Sequence, residues 1–458
     1  MSRLIGNFVP PPVSIETKNL LRSAREALSD QFKTDNQFIG RQYVGCGATI
    51  GVMPRCDFAC RGCYLGREAN RFPPESVVGI KQQLRTIRNW LGEGGNVQIT
   101  DGEATLRPID EIIEIIRYSH DIGLVPMLMT HGDAFRKLPG MLKRLMLEGG
   151  LTELCIHIDT TQRGRSGRAY RYAESERKLM PLRDEFAQMI KTLRKETGKT
   201  LEVATTFTVT DENIAEVPDV IRWISQNVDA FKMISFQPVA QVGRTERQLG
   251  NSLTVDQLCT RIAEGLYGNT SNATELMSHQ GLFGHPDCTR FIQGIIVSQS
   301  GSDPEFHPLF RGDDASDIQF FKELVHRFGG ISFRRFSSWG KIQCVITLLV
   351  QNPTFILLSM LPFVLKRLCD IDGKSAGRLI CAWLLGRIRI HYVNIVSHHF
   401  MSRTEIETSL GQERIDACVF KVPINGSLVS MCEVNAMGIR ERYYESIQLN
   451  RLSVKSET

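Results

Sequence analysis

Two periodicities alternate along the first half of the chain. Between residues 43 and 242, short apolar and β-branched runs at 48–53, 96–100, 125–130, 154–159, 201–209 and 231–238 are separated by longer stretches. Those stretches, at 76–90, 109–120, 135–147, 178–195 and 214–226, carry apolar positions three and four residues apart. The runs predict buried strands, and the helical spacing predicts amphipathic helices that cover them. Strand and helix in succession predict parallel pairing through crossovers. The expected fold is therefore α/β, a partial (β/α)6 TIM-like barrel with functional groups gathered where strands end.

After Gly250 the rhythm breaks. Residues 251–330 are turn-rich and polar, with GNTSNATE and SQSGSDPEFHP and no clear strand-helix repeat. Residues 388–396, RIRIHYVNI, alternate as a strand does, and runs at 418–423 and 428–434 flank the turn candidate Ile424-Asn425-Gly426-Ser427. The predicted organisation is an N-terminal extension (1–40), a core barrel (41–250), a connecting or capping region (251–387) and a smaller C-terminal α+β module (388–458). Within the third part, the stretch from Cys344 to Leu365 has no charge over a length that nearly crosses a bilayer, but Pro353 and Pro362 interrupt it. It reads first as a buried helical hairpin or the wall of an apolar pocket. The second reading is contact with a membrane surface, with Lys366 and Arg367 anchoring its end at the interface.

Charge and cysteine usage narrow the function classes. The chain of 458 residues has 55 Lys+Arg against 50 Asp+Glu, a mild excess with no dense Lys/Arg-aromatic patch, so no nucleic-acid partner is expected. The start MSRLIGNFVPPP has no apolar run after its basic residue, and a cytoplasmic location is expected. Twelve cysteines, several at ligand-like spacing, favour reduced thiols and metal ligation over disulfides.

The loop Cys56-Asp57-Phe58-Ala59-Cys60-Arg61-Gly62-Cys63-Tyr64 directly follows the first strand. Three thiolates on one loop can hold three irons of a [4Fe–4S] cluster and leave the fourth open. Completed by a distant His or Cys, they would instead make a zinc site. The spacing C-x3-C-x2-C followed by an aromatic, after the first strand of a βα series, resembles the signature of the radical S-adenosylmethionine (SAM) superfamily. The resemblance implies that Cys56, Cys60 and Cys63 hold the cluster and that SAM chelates the open iron. Reductive cleavage of SAM would then yield a 5′-deoxyadenosyl radical that abstracts hydrogen from a substrate. It further implies that Tyr64 lies near the adenine and that Gly102 and Glu103 meet the SAM amino group, with Asp101 standing where the family commonly has glycine. Thr130-His131-Gly132 resembles the family's Thr-Asn-Gly, with His131 departing from it, and Gln237, Pro238, Gly243 and Arg244 resemble the end of its last barrel strand. Asp159 and Arg163 end the fourth strand and are candidates for ribose or carboxylate contacts, or for a local salt bridge.

Three later cysteines, Cys288, Cys418 and Cys432, are either buried apolar thiols or, together with Cys46, ligands of an auxiliary iron–sulfur cluster. Residues His399, Phe400, Met401, Cys418, Cys432 and Asn435 resemble the C-terminal part of the tetraether synthase and pterin-methylating branch, although no paired-cysteine module precedes residue 46. That resemblance implies C-alkylation or C–C coupling on an apolar, lipid-like small-molecule substrate, or methyl transfer to a pterin or other heterocycle. A one-electron donor such as flavodoxin or ferredoxin would serve either reaction. A reading from another class is a zinc-stabilised binding protein without catalysis.

Overall fold

The computed structural model describes residues 14–39, 48–247, 249, 253–328, 338–372 and 375–456. Strand β1 is Gln37–Ile39, and the six strands expected from the periodicity follow as β2 (Thr49–Met53), β3 (Asn96–Asp101), β4 (Val125–Thr130), β5 (Glu153–His157), β6 (Glu202–Val209) and β7 (Phe231–Pro238). They pair in sequence order, every pair parallel. The helices between them bury one apolar stripe each. In Val77–Leu91 this stripe is Ile80, Leu84, Ile87 and Leu91, and Ser76 caps the first turn by accepting from the Gly79 N–H at 3.0 Å. The helix expected over 135–147 is two, Asp133–Lys137 and Pro139–Leu147. Proline lacks the N–H that would continue the first helix but fits the start of a second.

The sheet runs past residue 250, the expected end of the barrel, and into the module expected from 388. Strand β8 is Gly281–Phe283, β9 Thr289–Gln299, β10 Glu305–Pro308 and β11 Ile388–His398. Strand β11 lies parallel to β7, with Asn394 opposite Met233 and Ser397 opposite Phe236. Along its whole length it also pairs antiparallel with β9. The order across the sheet is β1-β8-β9-β11-β7-β6-β5-β4-β3-β2, with β10 paired to β9. Residues 281–308, read as connecting structure, thus supply sheet, and 388–398 extend the barrel wall. Their antiparallel pairing has no βα rhythm to announce it.

The remaining C-terminal residues form the expected hairpin, β12 (Lys421–Ile424) and β13 (Ser427–Ser430), with Asn425 and Gly426 at φ 49° and 80°. An isolated bridge between Ala48 and Lys421 places the hairpin beside β2. The helix Ile439–Ser456 then packs back on the barrel: Tyr444 is buried, and its hydroxyl donates to the Asp101 carboxylate.

Candidate active site at the barrel mouth

The three cysteines of the first loop line one cavity of about 230 Å³ at the C-terminal ends of the parallel strands. The loop is clamped by its own backbone. Ala59 N–H donates to the Arg163 carbonyl and Arg61 N–H to the Thr161 carbonyl, both at 2.8 Å, so the segment after β5 supports it from one side. The segment after β7 holds the other side: Arg244 N–H donates to the Cys63 and Leu65 carbonyls, and the Arg244 guanidinium to the Phe58 carbonyl at 3.0 Å. Gly243, at φ 56°, is required there because a Cβ would overlap the Tyr64 carbonyl. Outside, Arg61 pairs with Glu212 at 2.6 Å and Glu246 at 2.9 Å. With so many of its polar groups spent on the scaffold, the loop presents sulfur to the cavity.

The donor set fits a cluster with one open corner. Burial pushes the Cys56 thiol up to about 12 and the Cys60 thiol higher still, so these sulfurs are poor anions until a metal compensates the charge. The nearest further ligand atoms belong to Asp57 and His131. They are engaged with each other: His131 Nε2 meets Asp57 at 2.8 Å, and Nδ1 accepts from the Asp133 N–H at 3.1 Å. With the Nδ1 lone pair taken, Nε2 carries the proton toward Asp57, and no imidazole lone pair is left for a fourth ligand. The ring also stacks on Phe58, centroids 3.7 Å apart and planes 4° from parallel. The departure from asparagine thus gives a buttress under the cysteine loop.

The expected SAM contacts divide into two groups. Tyr64, Gly102 and Glu103 line the cavity. Tyr64 donates to the Asp101 carbonyl at 2.6 Å, and Gly102 sits where any Cβ would overlap the Arg55 carbonyl. Glu103 is buried, accepting from Thr130 Oγ1 at 2.6 Å and the His131 N–H at 2.9 Å. Asp159 and Arg163, by contrast, do not reach the cavity. Although burial opposes ionisation, His157 and the Thr161 and Thr208 donors hold the Asp159 carboxyl at about 2, inside the wall. Arg163 donates to the Thr160 and Gln162 carbonyls of its own loop. Their neighbours His157 and Gln162 line the cavity instead. Cys155 and His157 share the cavity face of β5, but the strand ends at His157, and past that end the Thr161 and Thr208 N–H groups turn the Asp159 carboxylate into the wall.

Asp101, the residue out of pattern, has a positive φ of 94° and is buried against Arg440, which pairs with it. Arg440 also donates to Asn435 at 2.8 Å and lies 5.0 Å from the Tyr64 ring centroid. The Asp-for-Gly change therefore ties the C-terminal helix to the strand end beside the cysteine loop. Sequence reading missed this strut because its partners are 339 residues apart. The rest of the cavity lining is largely apolar, including Met127, Met129, Met233, Val396, Phe400 and Phe420. No residue of the uncharged stretch 344–365 lines it.

A second set of thiols meets nearby. Cys288 precedes β9, Cys418 precedes β12, and Cys432 lies in the short helix after β13. Each is pushed upward by burial, Cys288 to about 11, and the segment 399–401 joins two of them, His399 N–H donating to the Cys288 carbonyl at 2.7 Å and Met401 N–H to Cys432 Sγ at 3.4 Å. Arg414 donates to Cys288 Sγ at 3.4 Å and to the His399 carbonyl at 2.8 Å. Cys46 lies outside the described residues.

Residues 50–224 match the Radical SAM superfamily. Over 203 residues, 44% of this chain, the sequence is 27% identical to 7,8-dihydro-6-hydroxymethylpterin dimethyltransferase of Methanocaldococcus jannaschii, and the match spans 38% of that relative's length. Among solved structures, Streptococcus suis SuiB bound to S-adenosylmethionine matches 49% of this chain and 48% of its own, at 15% identity and a TM-score of 0.36. Native anSMEcpe with bound AdoMet matches 68% of this chain and 99% of its own, at 11% identity and a TM-score of 0.34.

Proposed function

Starting from a radical SAM enzyme, we propose that this chain forms a carbon–carbon bond at an unactivated carbon of an apolar substrate segment held in the barrel-mouth cavity. The observation that carries the reading is the cavity itself, which joins three thiols on one side to methionine and phenylalanine side chains on the other. Cys56, Cys60 and Cys63 would hold the [4Fe–4S] cluster. When bound, cluster and SAM supply the hydrogen-abstracting radical. The chain's own groups bind and exclude. Glu103 offers a carboxylate to an ammonium group, Tyr64 and Gly102 shape the floor beside it, and the apolar lining keeps water from a reactive carbon.

A long lipid chain lying along 344–365 loses its support, because that stretch is away from the cavity. The second reading, methyl transfer to a pterin or similar heterocycle, is favoured by the 27% identical relative and by His157, Gln98 and Gln237 in the lining, which can meet ring nitrogens and carbonyls. Cys288 and Cys432 bracket the segment 399–401, whose His399 N–H donates to the Cys288 carbonyl and whose Met401 N–H donates to Cys432 Sγ, and this placement supports a second iron–sulfur cluster in either reading.

The test is anaerobic turnover of cluster-loaded, reduced protein with SAM carrying a labelled methyl group. Deoxyadenosine whose formation depends on an apolar substrate, with a new carbon–carbon bond in the product, supports the first reading. Label appearing in a pterin replaces it with the second. A colourless preparation containing zinc and no sulfide overturns both.

A further inference from the structure

Three consecutive helices, Ser338–Gln351, Pro353–Asp372 (with a π turn at Ile356–Met360) and Ala376–Leu384, turn apolar faces to solvent. Fifteen of the 26 large apolar side chains exposed among the described residues lie between 339 and 385. Isolated exposed apolar residues need no explanation, but a contiguous patch does. The faces are sorted. On the second helix Phe355, Phe363 and Arg367, spaced eight and four apart, turn inward: Phe355 and Arg367 are buried, and Phe363 stacks on Phe320 at 4.0 Å. Leu357, Leu358, Leu361, Val364 and Leu365 turn outward, Leu358 being 76% exposed. The first helix shows the same stripe, ending at Val350, 72% exposed.

Two further observations name the occupant. Residues 338–390 contain seven Lys or Arg and two Asp, so the whole formal excess of +5 resides there and the rest of the chain is balanced. Tryptophan stands at both limits, Trp339 at the start of the first helix and Trp383 at the end of the third, 66% and 53% exposed. Apolar helix faces, interfacial tryptophan and basic flanks are the combination that settles into the headgroup region of an anionic bilayer. Among the described residues no single helix is long and apolar enough to cross one, and the first two helices bend by 92° where they meet.

We propose that residues 338–390 dock this protein on an anionic membrane surface, its three helices lying in the interface plane with Arg387 and Arg389 at the headgroups. Lys366 and Arg367, expected as the anchors, are already paired with Asp314 and Asp317, and Arg367 is buried. Arg387 and Arg389 are exposed immediately after Leu385. This inference is independent of the reaction at the barrel mouth.

The experiment is flotation of the purified full chain with phosphatidylcholine vesicles, with and without phosphatidylglycerol, at low and high salt. Binding is expected with the anionic vesicles and lost at high salt. Arg387→Gln and Arg389→Gln should weaken it about fivefold for each charge removed. Val350→Ser, Leu357→Ser and Leu358→Ser together should abolish it without changing the circular dichroism or the iron content, since these side chains are mostly exposed. Because Trp90 and Trp223 are buried in the barrel helices, brominated lipid should quench only the emission of Trp339 and Trp383, and Trp339→Phe/Trp383→Phe should remove that quenching. A chain that stays unbound with both vesicle types overturns the proposal. So does a concentration-dependent dimer broken by the serine variants, which would assign the patch to a second copy.

Discussion

The two sets of thiols are built in opposite ways. Cys56, Cys60 and Cys63 sit within eight residues on one loop, held by backbone hydrogen bonds from the segments after β5 and β7. Cys288, Cys418 and Cys432 span 145 positions and meet only because β9 and β11 pair and the β12-β13 hairpin folds against β2. The first set is a local motif on a rigid scaffold, and its chemistry needs only the barrel. The second depends on the whole C-terminal half being in place, so damage there should appear as lost stability before it appears as lost chemistry.

The largest expected effect separates the two sets. Changing Cys56, Cys60 and Cys63 together to alanine should abolish reductive SAM cleavage, read as deoxyadenosine, while leaving about four irons per chain if the second set holds a cluster. If all iron disappears, the second set is packing alone.

Next is Arg440→Ala, which cuts the strut between the two regions. Arg440 and Asp101 are both buried, and a buried carboxylate that keeps the Tyr444 hydroxyl but loses its counter-charge should cost about 3 kcal/mol in denaturant unfolding. Asp101→Gly combined with Arg440→Met should recover much of this, because glycine accepts the positive φ and methionine fills the space. A single variant as stable as wild type would show that the strut carries no load.

A pH titration probes the wall between the two regions. His398 lines the cavity, donates to or accepts from Thr289 at 2.9 Å, and burial lowers its imidazole to about 4. The unfolded chain binds that proton near 6.5, so the contribution of neutral His398 is complete above 6.5 and is lost as pH falls toward 4, on the order of 3 kcal/mol. His398→Gln should make the stability profile shallower in that window, with the remaining slope left to the neighbouring His399, which burial also lowers to about 4. An unchanged profile would place the titration elsewhere.

The smallest effect is on the loop's outer clamp. Arg61→Ala removes pairs to half-exposed Glu212 and Glu246, and about 1 kcal/mol or less is expected in thermal unfolding. A loss several times larger would mean that the loop is less well held by its backbone than its hydrogen bonds indicate.

Local information was enough for the barrel and for the first set of cysteines. Parallel strands buried on both faces read as continuous apolar runs, their helices read as stripes, and three cysteines within one loop read as a spacing. The hairpin was equally legible, since Asn-Gly states its turn. Only the tertiary structure decided what lies between. It put β11 into the barrel wall, turned Asp159 and Arg163 away from the cavity, and gave Asp101 to Arg440. It also set residues 344–365 on the outside rather than against a substrate. The physical reason is common to all of these. A side chain's direction and its distant partner follow from how elements pack, and a stretch without charge looks the same in sequence whether it faces a core, a pocket or a bilayer.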